Sequence, residues 1–155
     1  MSTVLVGMAW ANGGVTGKVI TVIDGNTIEV AADNETHKVM LAGIDTPELE
    51  QEFGDKAKKA LEKLVLDKMV TVKFTGKDRW GNALGEVWIE GKADPRIELL
   101  KQGLAWTAER NPVPDLEAHR VVAQEKGKGL WKQDNPTPPW TFRRQQTMLQ
   151  PKSSD

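Results

Sequence analysis

The chain has no cysteine and no tyrosine, two histidines, and a formal net charge of −1. Without cysteine there is no disulfide, no thiolate zinc site and no cysteine nucleophile, although this decides nothing about compartment. His37 and His119 are too few for a histidine-based metal cluster and read as ordinary strand and helix residues. Near-neutral charge gives no global pull on nucleic acid, so any phosphate binding has to come from a local patch. No stretch approaches the ~20 apolar residues that span a bilayer, so no membrane partner is expected.

What remains is the make-up of one globular domain: 155 residues, 39% hydrophobic and 28% charged. Residues 1–15 form a flexible lead-in. Within it, Val4 to Ala11 is short and apolar and ends in the small-x-small form of a signal-peptidase site, yet no Lys or Arg precedes it. It reads as a signal remnant or as an ordinary N-terminal segment. The first reading points to a periplasmic or secreted protein and the second leaves the cytoplasm open. The domain proper covers 16–144, and 145–155 reads as a disordered polar tail.

Periodicity supplies the elements. Thr16 to Ile23 and Thr27 to Ala31 are strands around an Asp24-Gly25-Asn26 turn, and His37 to Leu41 is a third. Ala57, Ala60, Leu61, Leu64 and Val65 recur at helical spacing and predict an amphipathic helix over 53–66. Met69 to Phe74 and Ala83 to Ile89 are two more strands, joined by the polar turn Asp78-Arg79-Trp80-Gly81-Asn82. Asp94-Pro95 opens a second helix, with Gly103 as its stop, and Asp115 is the expected cap of a third. Trp131 is expected to pack back on the core, and Pro138-Pro139-Trp140 to dock. The order fits an α+β, mainly β fold: a five-stranded Greek-key OB-fold barrel with about three helices.

Chemistry concentrates in Leu41 to Glu48, where an apolar run ends in two carboxylates, Asp45 and Glu48, around a Thr-Pro corner. Such a pair can hold a hard cation and leave one carboxylate for base chemistry, or it can be a solvated turn.

Four segments together resemble the thermonuclease, or staphylococcal-nuclease-like, family. Val22-Ile23-Asp24-Gly25-Asn26-Thr27 stands where the family has Asp-Gly-Asp-Thr. Met40 to Glu48 resembles Arg-Leu-x-Gly-Ile-Asp-x-Pro-Glu. Asp78 to Asn82 resembles Asp-(Lys/Arg)-Tyr-Gly-Arg. Leu99 to Trp106 and Gly127 to Trp131 resemble its Gly-Leu-Ala and Gly-Leu-Trp signatures. The closing Pro138-Pro139-Trp140-x-x-Arg143-Arg144 is similar to the tail of exported bacterial members. The match runs from about Gly17 to Arg144 with order and spacing kept.

The resemblance implies a Ca²⁺-dependent phosphodiesterase acting on DNA and RNA. Matched residue by residue, Asp45 and the Thr46 carbonyl stand at metal ligands, Asp24 supports the metal from nearby, and Glu48 stands at the water-activating glutamate. Three residues of the implied metal and phosphate-binding set are replaced. Asn26 takes the place of a second ligating aspartate, which weakens the implied calcium site. Met40 and Asn82 take the places of the two arginines that neutralise the phosphoryl oxygens. Lys38, two residues before Met40 on a strand, and Arg79, in the Asn82 turn, are the candidate substitutes. Trp80 holds the family's tyrosine position as a stacking platform. Glu109 and Asn111 stand where the type member has two further tyrosines. Two readings follow. One is a degenerate, weak or inactive phosphodiesterase that binds nucleic acid or a protein partner. The other is an active nuclease in which other cations compensate. A monomer is expected in either case.

Overall fold

The computed structural model describes residues 14–91 and 94–149. Residues 1–13 of the expected lead-in, Val4 to Ala11 included, lie outside the described residues, and Gly14 and Val15 at its end belong to the first strand. Strand β1 (Gly14–Asp24) is long enough to pair on both edges, with β2 (Thr27–Ala32) on one and β5 (Met69–Lys77) on the other. With β3 (Glu35–Leu41) and β6 (Ala83–Ile89) these strands close into a barrel in the order β1-β2-β3-β6-β5. All pairings are antiparallel except the seam between β3 and β6, where Met40 faces Leu84 and Leu41 faces Gly85. This is the barrel expected from the strand order.

Alternation puts Val19, Val22, Ile28, Val30, Val39, Leu41, Val70, Val72 and Val87 inside. Ile20 is exposed because alternation along β1 puts it on the face of Thr16 and Lys18, and the register shift between Val19 and Thr21 then turns Val22, in place of Thr21, into the core. Helix α1 (Gly54–Val65) lays Leu61 and Val65 against the barrel. Helix α2 (Pro95–Lys101) adds Leu99 and Leu100. Each such fully buried side chain contributes about 1.5–3 kcal/mol over exposure.

Outside the barrel, the two-residue strands β4 (Ile44–Asp45) and β7 (Trp106–Thr107) pair with each other, Asp45 opposite Trp106. Helix α3 (Pro114–Glu125) starts one residue before the expected cap. Val113 is the cap residue, and Asp115 and Glu117 fall in the first turn, where negative charge suits the helix dipole. A 3₁₀ turn follows (Gly129–Lys132).

A fourth helix, α4 (Pro139–Leu149), goes beyond the expected three and runs five residues into the segment read as a tail. Its cause is local. Pro139 is pre-set for a first helical turn, Phe142 N–H donates to the Pro138 carbonyl at 3.0 Å, and Trp140 docks. Among the described residues, no helix is long and apolar enough to cross a membrane.

Candidate active site

The floor of the site is the β1–β2 turn. Asp24 Oδ1 accepts the Asn26 N–H at 2.8 Å, which tightens the turn. Gly25 is required there, because a Cβ would lie 2.7 Å from the Ala57 Cβ and 2.8 Å from Thr46 Oγ1. Asn26 is buried and joins two segments: its Nδ2 donates to the Leu41 carbonyl at 3.3 Å, and its Oδ1 accepts from Thr46 N–H at 3.1 Å. The turn therefore fixes both ends of the stretch that carries the acid pair.

That stretch leaves β3 through Ala42 and Gly43, whose φ of +85° favours glycine. It is held there by Arg96 of α2. The guanidinium forms a bidentate pair with Asp94, closest contact 2.7 Å, and Nη1 donates to the Ala42 carbonyl at 2.7 Å. Asp94 also caps α2 by accepting the Arg96 N–H. One buried ion pair thus positions the turn that presents Asp45.

The two carboxylates meet a cation that the local sequence does not supply. Arg143 of α4 donates from Nη2 to Asp45 Oδ2 at 2.8 Å, and from Nη1 to Asp45 Oδ1 at 3.1 Å and Glu48 Oε2 at 2.9 Å. Trp140 sets its place. Its ring lies edge-on to Trp106, centroids 5.5 Å apart, and Trp106 packs in turn against Trp131 at 4.7 Å. Trp106 is the register partner of Asp45, and Arg143 follows Trp140 by three residues, on the same helical face. Arg144 adds a second tether to Glu109 at 2.8 Å.

These groups line a pocket of about 430 Å³ that holds Asp24, Asp45, Glu48, Asp78 and Glu109 against one cation, Arg143. Burial pushes the Asp45 carboxyl above the ordinary aspartate value; Arg143 pulls it back only in part, and Asp24 and Glu109 push it up again. Glu48 is raised for the same reason, with Asp45 and Asp24 adding to the effect of burial. The Arg143 guanidinium is correspondingly held in its charged form, chiefly by its hydrogen bonds to Asp45. The pocket is thus strongly anion-rich, with its charge only partly compensated.

Sequence comparisons bear on this constellation. Residues 38–133 match the family model described as staphylococcal nuclease homologue. An uncharacterized endonuclease of Haemophilus influenzae is 40% identical over 133 residues, covering 84% of this chain and 74% of the relative. One of Escherichia coli is 34% identical over 128 residues, covering 82% and 84%. A micrococcal nuclease of Shigella flexneri is 31% identical over 147 residues, covering 88% and 83%. The chain belongs to the staphylococcal nuclease family.

Against the family's pattern, the structure brings Asp24, Asn26, Met40, Asp45, Glu48, Trp80 and Asn82 around one pocket, and buries Thr46 beside it. It does not bring Lys38 there. That residue is exposed on β3, in register with Glu29. Arg79 lies over the Trp80 ring at 5.1 Å and lines the neighbouring groove, outside the acid pocket. Asn82 is engaged locally, donating from its N–H and Nδ2 to Asp78 at 2.8 and 2.9 Å. Trp80 is 69% exposed.

The oxygen donors that a calcium ion would need are already engaged. Both Asp45 oxygens and Glu48 Oε2 are taken by Arg143, and Asn26 Oδ1 by Thr46 N–H. Among the described residues no group of three or more His, Asp or Glu is arranged to hold a metal. The pocket as arranged therefore fits a guanidinium and does not fit Ca²⁺, which takes six to eight oxygens.

Arg143 is the pocket residue that local reading did not place there. Its motif was visible, and the Trp140-x-x-Arg143 spacing signals a shared helical face. What the spacing does not carry is the partner, 98 residues away in sequence.

Proposed function

We propose that this chain is a nuclease-family protein that binds nucleic acid and is impaired as a phosphodiesterase. The observation that supports this is the state of its guanidinium groups. Met40 and Asn82 stand at the positions of both arginines, and the one arginine that reaches the acid pair, Arg143, is bound to the carboxylates. Among the described residues that line the acid pocket, no other guanidinium stands ready to neutralise charge developing on a phosphate. A single lost donor of this kind lowers kcat by about 10²–10³-fold. Glu48, at the water-activating position, is itself hydrogen-bonded to Arg143 through Oε2.

The test is degradation of single-stranded DNA with Ca²⁺, beside an active family member. Rates at least about 10²-fold lower are expected. Comparable rates, lost on adding EDTA and in Glu48→Gln, overturn the proposal. Introducing Met40→Arg with Asn82→Arg is expected to raise the rate.

A second reading is favoured by one specific observation, the arrival of Arg143 at the pocket. It is that Arg143 replaces the missing arginines in an active calcium-dependent nuclease. Under that reading Arg143→Gln abolishes cleavage. Under the first reading Arg143→Gln does not lower the residual rate.

A further inference from the structure

The pocket's cation comes from the far end of the chain, and the manner of its attachment differs from that of the rest of the fold. Three of the four oxygens of Asp45 and Glu48 accept from one guanidinium. A divalent cation would need those same oxygens. The helix that brings the guanidinium is fully buried only at Pro139, and its residues from Arg144 to Leu149 are exposed. Its hold rests on Pro139 and on Trp140 against Trp106, at its first turn, and beyond that on partly exposed ion pairs, which individually contribute little.

We infer that α4 is a plug: Arg143 is the resident, displaceable cation of the acidic pocket, and divalent-cation binding and α4 docking are mutually exclusive. The plug supplies the charge compensation that a metal gives elsewhere, so the fold keeps its acid pair without one. Because docking and cation binding draw on the same carboxylates, each weakens the other by the same factor. Trp140, three residues before Arg143, sets where the guanidinium lands. The Arg144–Glu109 pair, 59% and 37% exposed, is a secondary tether.

This goes beyond the functional proposal, and its readout is binding, so a protein without nuclease activity can still pass. Full-length wild type, Arg143→Gln, Arg143→Lys and Arg143→Gln with Asp45→Asn are titrated with Ca²⁺ by calorimetry and with Tb³⁺ by tryptophan-sensitised luminescence. Hydrogen exchange of residues 139–149 is followed in parallel. Arg143→Gln is expected to bind at least about tenfold more tightly than wild type. Arg143→Lys, which keeps the charge, stays near wild type, and adding Asp45→Asn removes the gain. Saturating Ca²⁺ is expected to speed exchange in α4 of the wild type. Equal or weaker binding by Arg143→Gln overturns the inference. So does Ca²⁺ binding to wild type with α4 protection unchanged, or the absence of binding in every variant.

Discussion

Two arginines grip the same eight-residue stretch, and they do so in different ways. Arg96 reaches it from α2 and Arg143 from α4. The Arg96–Asp94 pair is about one-tenth exposed on each side, and its spare donor is spent on the Ala42 carbonyl. Arg143 is 39% exposed, with Asp45 at 22% and Glu48 at 35%. In the first case every polar group has a fixed partner away from water, and losing one strands the others. In the second, water can replace either side at modest loss. One family of contacts thus gives a permanent clamp at the turn and an exchangeable one at the pocket. Desolvation, more than hydrogen-bond count, separates the two clamps.

The contrast can be broken by mutation. Arg96→Ala leaves Asp94 buried without its partner and the Ala42 carbonyl without a donor. It is expected to lower unfolding stability by about 3–5 kcal/mol in urea titrations. Arg143→Gln, measured in the same way, is expected to change stability by no more than about 1 kcal/mol. Equal losses in the two variants mean that exposure does not distinguish the clamps.

Trp140→Ala removes the apolar anchor of α4 from Trp106. A loss of about 1.5–3 kcal/mol is expected, with faster hydrogen exchange confined to residues 139–149. Acceleration that spreads into the barrel strands instead makes α4 part of the cooperative fold.

The smallest effect concerns an intermediate pair, Arg120–Glu117, at 2.7 Å and 19% and 32% exposed. The Arg120 hydrogen bonds hold the Glu117 carboxyl below the ordinary glutamate value, against burial, and the Thr107 hydroxyl adds to this. A folded value below the unfolded one means stability present above the ordinary glutamate range and lost as pH falls through the lowered value. Glu117→Gln should therefore be less stable than wild type near neutrality, and the two curves should converge in strong acid. Parallel curves remove Glu117 from the account.

Much of this was legible in the sequence, for reasons that can be named. The barrel strands announced themselves because each buries one face, and period two survives wherever no bulge intervenes. Asp45 and Glu48 were singled out because both carboxylates and the turn between them lie within eight residues, and the structure brings the two into one pocket. The Asp24-Gly25-Asn26 turn, local in the same way, was read as a tight turn. Lys38 was a plausible substitute by strand parity, yet its neighbour across the sheet is Glu29 and not the pocket. Parity gives the face of a strand, not the height along it. Arg96 left no mark, since its value lies in a carbonyl 54 residues away. Helix α4 was not expected, because Gln145, Gln146 and Thr147 look like a polar tail when nothing shows that the preceding turn is anchored.

The distance between Asp45 and Arg143 along the chain has a consequence in time. Synthesis runs from the N-terminus, so every strand of the barrel, and all five pocket carboxylates, emerges before the residue that neutralises two of them. The nascent domain can close its seam at Met40 and Leu84 while the acid pair still faces water. The cation that lines the pocket is thus made after all of the pocket's carboxylates. A chain cut between Gly129 and Pro138 should have the same barrel and a far more negative cleft.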